Sequence, residues 1–288
     1  MALANRPAYL GQDPWVVPFD GDLLLVQSAA GDGRIVVRRF PDLDHLHDYE
    51  ETVIWAPADG DHTRELWAPE LHPIAGRWYV YYAASDGDNE NHRAYVLEAD
   101  HPLGPYRELG RVRDPGHDTW AIDLTVLDHE GRLYAIWSGW EHDGDGFPQN
   151  LYIAPMSDPA TISGERHLLS APEYDWERSV APINEGPQVV RNPGRDRLFV
   201  AYSADASWTV AYKLGLLEWT GGDVCDRRSW RKAPAPILTG GGHGCVVEAG
   251  GRQHLVYHRK LGTEPGWDDR EIRVAPLSWD AAGYPRVD

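Results

Sequence analysis

The stretch "GRWYVYYAAS", residues 76–85, opens on a turn glycine and a polar residue and then runs through eight apolar or small residues, three of them tyrosine. A short aromatic and β-branched run, bounded by turn residues, reads as a strand whose two faces are both covered. The pattern returns as "GDLLLVQS" from Gly21, "GRLYAIWSG" from Gly131, "DRLFVAYSA" from Asp196 and "GRQHLVYHRK" from Gly251, at spacings of 55, 55, 65 and 55 residues. A short strand-like segment precedes each copy ("DPWVVPF", "APELHPI", "IDLTVLD", "EGPQVVRN", "HGCVVEAG"). Another follows each ("GRIVVRRF", "RAYVLEAD", "NLYIAPM", "KLGLLEW", "EIRVAPLSW"). Three or four strands per unit, turns rich in Gly and Asp, and no long helical period argue for radial repetition of small sheets. The expected fold is all-β, a five-bladed β-propeller, with residues 1–288 forming a single domain and no linker or low-complexity stretch between units.

Composition narrows the partners. The formal net charge is −18, with acidic and basic residues interspersed. Such a field repels nucleic acid and anionic membrane, so neither is an expected partner. Thirteen tryptophans and fourteen tyrosines stand against four phenylalanines, and aromatic rings with a polar handle suit both β-structure and sugar-facing surfaces. The two cysteines, Cys225 and Cys245, have no framework spacing, which favours free thiols and a reduced compartment. "MALANRPAYLGQDPW" lacks an apolar leader core and no run reaches membrane-spanning length, so a cytoplasmic location is expected, or a secreted one for a trimmed chain. Oligomeric state is not legible.

The first strand of each propeller blade lines the axis, so residues at one offset converge at one mouth of the channel. Counting back eight from the turn glycine gives Asp13, Ala68, Asp123 and His243 in four units. In the fourth unit the hairpin "RNPGRDR" is longer, and correcting for it gives Glu185. Glu70 follows Ala68 by two residues and is expected on the same strand face. Asp123 is therefore expected at the channel mouth, outside any packed layer. Three carboxylates around one axis repel one another, which raises at least one pKa and leaves others ionised. That division is what general acid and general base catalysis at one pH requires, and glycoside cleavage uses such a pair.

The stretches "DPWVV", "LWAPELH", "AIDLTV", "IWSGW", "QNLYIAPMSDP", "PEYDWE", "NEGPQVV" and "GHGCVV" resemble, in order and over nearly the whole chain, glycoside hydrolase family 43. The resemblance implies a five-bladed propeller that cleaves arabinofuranosides or xylosides with inversion. It implies Asp13 as general base, Glu185 as general acid and Asp123 as the acid that tunes and orients Glu185. His243 matches the axial histidine, which in many members contacts water or a Ca²⁺ or Na⁺ ion in the channel. No cofactor is required by this reading. The expected activity is that of an inverting, exo-acting α-L-arabinofuranosidase on arabino-oligosaccharides or arabinosylated xylan fragments. β-Xylosidase and endo-arabinanase remain open, and a non-catalytic glycan-binding propeller is the rival from another class.

Arg113-Asp114-Pro115 resembles a motif of the retaining fructan and sucrose hydrolases, but Asp114 lies nine residues upstream of the register position and reads as loop. "TGGGHG" leads into a strand, which disfavours a phosphate cradle. No H-E-x-x-H or C-x-x-C suggests zinc, and a hard cation prefers oxygen ligands. Trp67, just before an inner strand, offers an indole face to a sugar. Trp120, Trp137, Trp140 and Trp208 are weaker, because alternation sends some into the core. Trp67, Glu70 and Trp140 form the candidate substrate-binding set. His258 reads as core or as support for the site, and Arg273 as an anchor between strands.

Overall fold

The computed structural model describes residues 6–29 and 33–287. The first five residues, part of the stretch read as lacking a leader core, lie outside the described residues. Five antiparallel sheets of four or five strands follow one another along the chain. Their inner strands are Trp15–Phe19, Arg64–Ile74, Ala121–His129, Asn184–Asn192 and Gly242–Ala249. Each inner strand touches those of the preceding and following sheets, and the first touches the fifth, which closes a ring of five blades. Sequence reading named three strands per unit and missed the outer ones; among them Arg6–Leu10 pairs with Arg270–Trp279 as the outer strand of the fifth blade. The N-terminal segment thus latches the blade built from the C-terminal end.

The continuous apolar runs have a simple cause. The core is divided into five layers, each between two neighbouring blades. One joins Leu127, Ile136 and Ile153 of the third blade to Leu198, Val200 and Tyr202 of the fourth, and another joins Leu23 and Leu25 of the first to Val256 and Ile272 of the fifth. The other three neighbouring pairs are built alike. A second strand such as Arg77–Ser85 is covered on both faces, so from Tyr79 to Ser85 every residue is buried and no alternation survives. Cys225 and Cys245 are buried, free thiols in different layers. Among the described residues no helix is long and apolar enough to cross a membrane.

Candidate active site

The inner strands share one backbone feature that creates the site. In each, the residue six before the hairpin-closing pair has a left-handed backbone: Asp13 (φ 48°), Ala68 (φ 43°), Asp123 (φ 55°), Gly186 (φ 50°) and His243 (φ 42°). In blades two to five the strand ladder breaks there, and in the first it starts two residues later. A positive φ costs a residue with a side chain on the order of 1–2 kcal/mol, least for Asp, so its recurrence at the axis marks a constraint of the ring. The offset read from sequence therefore identifies Asp13, Ala68, Asp123 and His243 in matching register. In the fourth blade the matching residue is Gly186, and Glu185 stands one place earlier, level with Trp67 and Ile122.

That displacement is informative. A Cβ on Gly186 would lie 3.0 Å from Cγ of the His243 ring, so glycine is needed both for the left-handed turn and for the contact. The Gly186 N–H donates to Asp123 Oδ2 at 3.0 Å, tying the third blade's acid to the strand that carries Glu185. His243 Nδ1 lies 3.4 Å from Asp13 Oδ1 and 3.9 Å from Asp123 Oδ2. On its other side Asp13 meets His258, whose Nδ1 accepts from the Asp13 N–H at 3.1 Å and stands 3.2 Å from Oδ1. The Tyr212 hydroxyl donates to Glu185 Oε1 at 2.8 Å, and its ring stacks on His258 with centroids 5.5 Å apart. Tyr212 and His258 thus link the carboxyls of the fourth and first blades.

Asp123 lines the mouth of the channel, where sequence reading put it, yet it is only 3% exposed, because the bulge turns its carboxyl inward toward Gly186. Burial raises its pKa, the His243 charge opposes that, and the nearby Asp13 charge adds to it. For Asp13 burial also acts upward, but it is outweighed by the charge of His243, the contact with His258 and the charge of Arg270, so the carboxyl is held well below its usual range. Glu185 is pushed up to about 7 by burial and by the Asp123 charge, with His243 and the Tyr212 hydrogen bond opposing. Burial lowers the His243 pKa, yet Asp13, Asp123 and Glu185 together leave it raised. Burial takes His258 down to about 4, so it is neutral. Near neutral pH the site therefore sets Asp13, an ionised carboxylate, beside Glu185, a carboxyl that holds its proton up to about pH 7.

Above these groups opens a cavity of about 750 Å³, within the usual range for small-molecule sites. Loops of all five blades wall it, from Gln12 on the first to Arg270 on the fifth. Trp67 and Trp140 both line it. Trp67 stacks on His92 with centroids 3.7 Å apart, and Trp140 is buried against Trp120 at 4.6 Å. Glu70 does not line the cavity. Beyond the break at Ala68–Pro69 it is buried in the channel, where its Oε2 lies 2.8 Å from His72 Nε2. Burial raises its pKa well above the ordinary value. The same-face rule fails for Glu70 because it assumes an unbroken strand. Asp114 belongs to a separate surface pocket, where one of its oxygens accepts from Gly116 N–H. Three glycines of "TGGGHG", Gly241, Gly242 and Gly244, answer to packing, since a Cβ on Gly244 would strike the Val256 carbonyl oxygen, whereas Gly240 takes a left-handed turn.

Sequence reasoning gave no site role to Tyr212, Arg270 or Trp267, and only a weak one to Trp208. Each lies in a loop or on another strand, where no repeat offset points to it. Among the described residues no group of three His, Cys, Asp and Glu side chains is arranged to hold a metal. His243 could give a channel cation one ligand, the rest coming from water, and its Nδ1 already faces two carboxylates.

A model of glycosyl hydrolases family 43 matches residues 7–285. An extracellular exo-α-(1→5)-L-arabinofuranosidase of Streptomyces chartreusis is 37% identical over 84% of this chain and 77% of the relative. The α-L-arabinofuranosidase 43 of Humicola insolens is 35% identical over 95% of this chain, which spans only 60% of that protein's length. The crystal structure of an α-L-arabinofuranosidase from Lactobacillus brevis superposes with a TM-score of 0.89 at 31% identity, covering 99% of this chain and 97% of the other.

Proposed function

The chain belongs to glycosyl hydrolase family 43 and is an inverting glycoside hydrolase, and within that family we propose that it is an exo-acting α-L-arabinofuranosidase. The observation that carries the catalytic reading is the pair of opposite protonation states on one cavity, Asp13 ionised and Glu185 protonated to about pH 7. Glu185 gives its proton to the glycosidic oxygen as the bond from that oxygen to the anomeric carbon breaks. Asp13 accepts a proton from water as the water oxygen bonds to the opposite face of that carbon, which inverts the configuration. The Asp123 charge keeps Glu185 protonated, and His243 screens Asp13 and Asp123 from each other. After turnover the proton on Asp13 returns to Glu185 through solvent. No step is routed through a cation.

A cavity walled by all five blades, with its acids at the floor, favours removal of a terminal sugar over cleavage within a chain laid across a groove. Arabinose as the glycone is supported by the relatives that are 31–37% identical, which are arabinofuranosidases. That the Streptomyces relative is an extracellular enzyme weighs against the cytoplasmic location expected from sequence, and buried unpaired thiols are compatible with either compartment. The test is product analysis on α-1,5-arabinotriose, xylobiose and debranched arabinan, with NMR of the first-formed anomer. Arabinose released from the non-reducing end supports the reading. Xylose release, or mid-chain arabinan fragments, replaces it with β-xylosidase or endo-arabinanase activity, and binding without cleavage would favour the non-catalytic propeller.

A further inference from the structure

Five tryptophans line the cavity, each paired with another aromatic ring, and the pairs differ in what they leave free. Trp67 with His92 and Trp120 with Trp140 are near-parallel stacks, tilted by 23° and 7°, whose facing surfaces are spent on each other. Trp208 and Trp267 meet as a wedge, centroids 5.1 Å apart and tilted by 55°, in which Trp208 backs Trp267 and leaves the outer surface of its indole uncovered. Trp267 is 59% exposed, the one tryptophan among the exposed large apolar side chains of the described residues. An indole left in water forgoes the free energy of burial, so its exposure beside a cavity points to a ligand that covers it.

The wedge is braced. Arg270 Nε donates to the Trp267 carbonyl at 3.0 Å, and its guanidinium carbon lies 5.6 Å from the indole centroid. The same guanidinium bonds Gln12, the neighbour of Asp13. Gly266 N–H donates to the Trp208 carbonyl at 2.9 Å, joining the two loops, and Trp208 packs on Ala181, Ile183 and Ala206. Trp208 follows the strand paired with the one that carries Glu185, so the wedge stands on the side from which a leaving group would be protonated. Fixed aromatic faces recognise the C–H face of a sugar ring at low entropic cost.

We propose that Trp208 and Trp267 form the leaving-group subsite, where a second pentose ring, joined through the scissile bond, stacks on the uncovered face of Trp267, which Trp208 holds in place. This rests on the glycosidase reading above. The two closed aromatic pairs then shape the seat of the terminal sugar, and the wedge reads what it is attached to.

The experiment compares α-1,5-arabinobiose with methyl α-L-arabinofuranoside, which share the glycone and an alkoxide leaving group but differ in the second ring. In Trp267→Ala the ratio of kcat/KM for the disaccharide to that for the methyl glycoside should fall about tenfold, mainly through KM, with partial recovery in Trp267→Phe. An unchanged ratio, including a parallel loss on both substrates, overturns the subsite. If the wild-type protein cleaves neither arabinoside, the arabinofuranosidase reading fails on its own. The same ratio is then taken on xylobiose and methyl β-D-xyloside, where the same two outcomes decide.

Discussion

Replacing Asp123 with asparagine removes one charge while keeping the shape that the fold uses. Asparagine tolerates the left-handed backbone at this position (φ 55°), and its amide oxygen can still accept the Gly186 N–H, so the variant should fold with little change in Tm. The chemistry should change more. At an effective dielectric constant of about 20, a like charge about 6 Å away is worth about 3 kcal/mol, or about two pKa units, which sets the upper scale for the effect of Asp123 on Glu185. Water in the open cavity screens part of this, and a drop of about one unit from the value near 7 is the expected outcome. At pH 7 the protonated fraction of Glu185 then falls from about a half to about a tenth, so cleavage of substrates with poor leaving groups falls about fivefold from this cause alone. The assay is kcat/KM against pH on arabinobiose for both proteins. The basic limb should move toward lower pH in the variant. A folded Asp123→Asn protein whose limb stays in place would refute the coupling between Asp123 and Glu185.

Gly186→Ala should be costly in two ways. A left-handed alanine loses on the order of 1–2 kcal/mol, and its Cβ, 3.0 Å from the His243 ring, forces the imidazole away from Asp13. Differential scanning calorimetry should show a Tm lower by several degrees, with activity reduced more than stability explains. Glu185→Gln should trade activity for stability. The folded protein holds this proton up to about pH 7 whereas an unfolded glutamate loses it near 4.5, so wild-type stability falls as pH rises through that window and stays reduced above it. The neutral variant should be more stable than wild type by up to about 3 kcal/mol at pH 8, with the advantage gone below pH 4; denaturant midpoints at both pH values check it.

The ring of blades was legible because each unit repeats the same strand-turn-strand spacing, and the axial offset falls on a real backbone feature in four of five blades. It misplaced Glu185 by one because matching it to an apolar residue four places on, as Asp123 is to Leu127, took Val189 where strand pairing puts Val190 level with Leu127. The glycine that takes the left-handed turn frees its neighbour to reach the cavity. Glu70 was lost to the same cause, a broken ladder. The strand Arg6–Leu10 was invisible because its partner lies at the other end of the chain, and no local pattern encodes such a pairing. Tyr212, Arg270 and Trp267 reach the site from elements with no repeat offset, so only the folded ring brings them to it.

The assignment of Glu185 as the acid opposite the base Asp13 is tested most directly by the leaving-group dependence of Glu185→Ala. With the acid removed, aryl α-L-arabinofuranosides whose phenols need little protonation should keep much of their kcat/KM. Those with poor leaving groups should lose about 10²–10⁴-fold. A plot of log kcat/KM against leaving-group pKa should therefore be shallow for wild type and steep for the variant. An equal loss across the series would contradict the assignment, because it would mean that Glu185 does not protonate the departing oxygen.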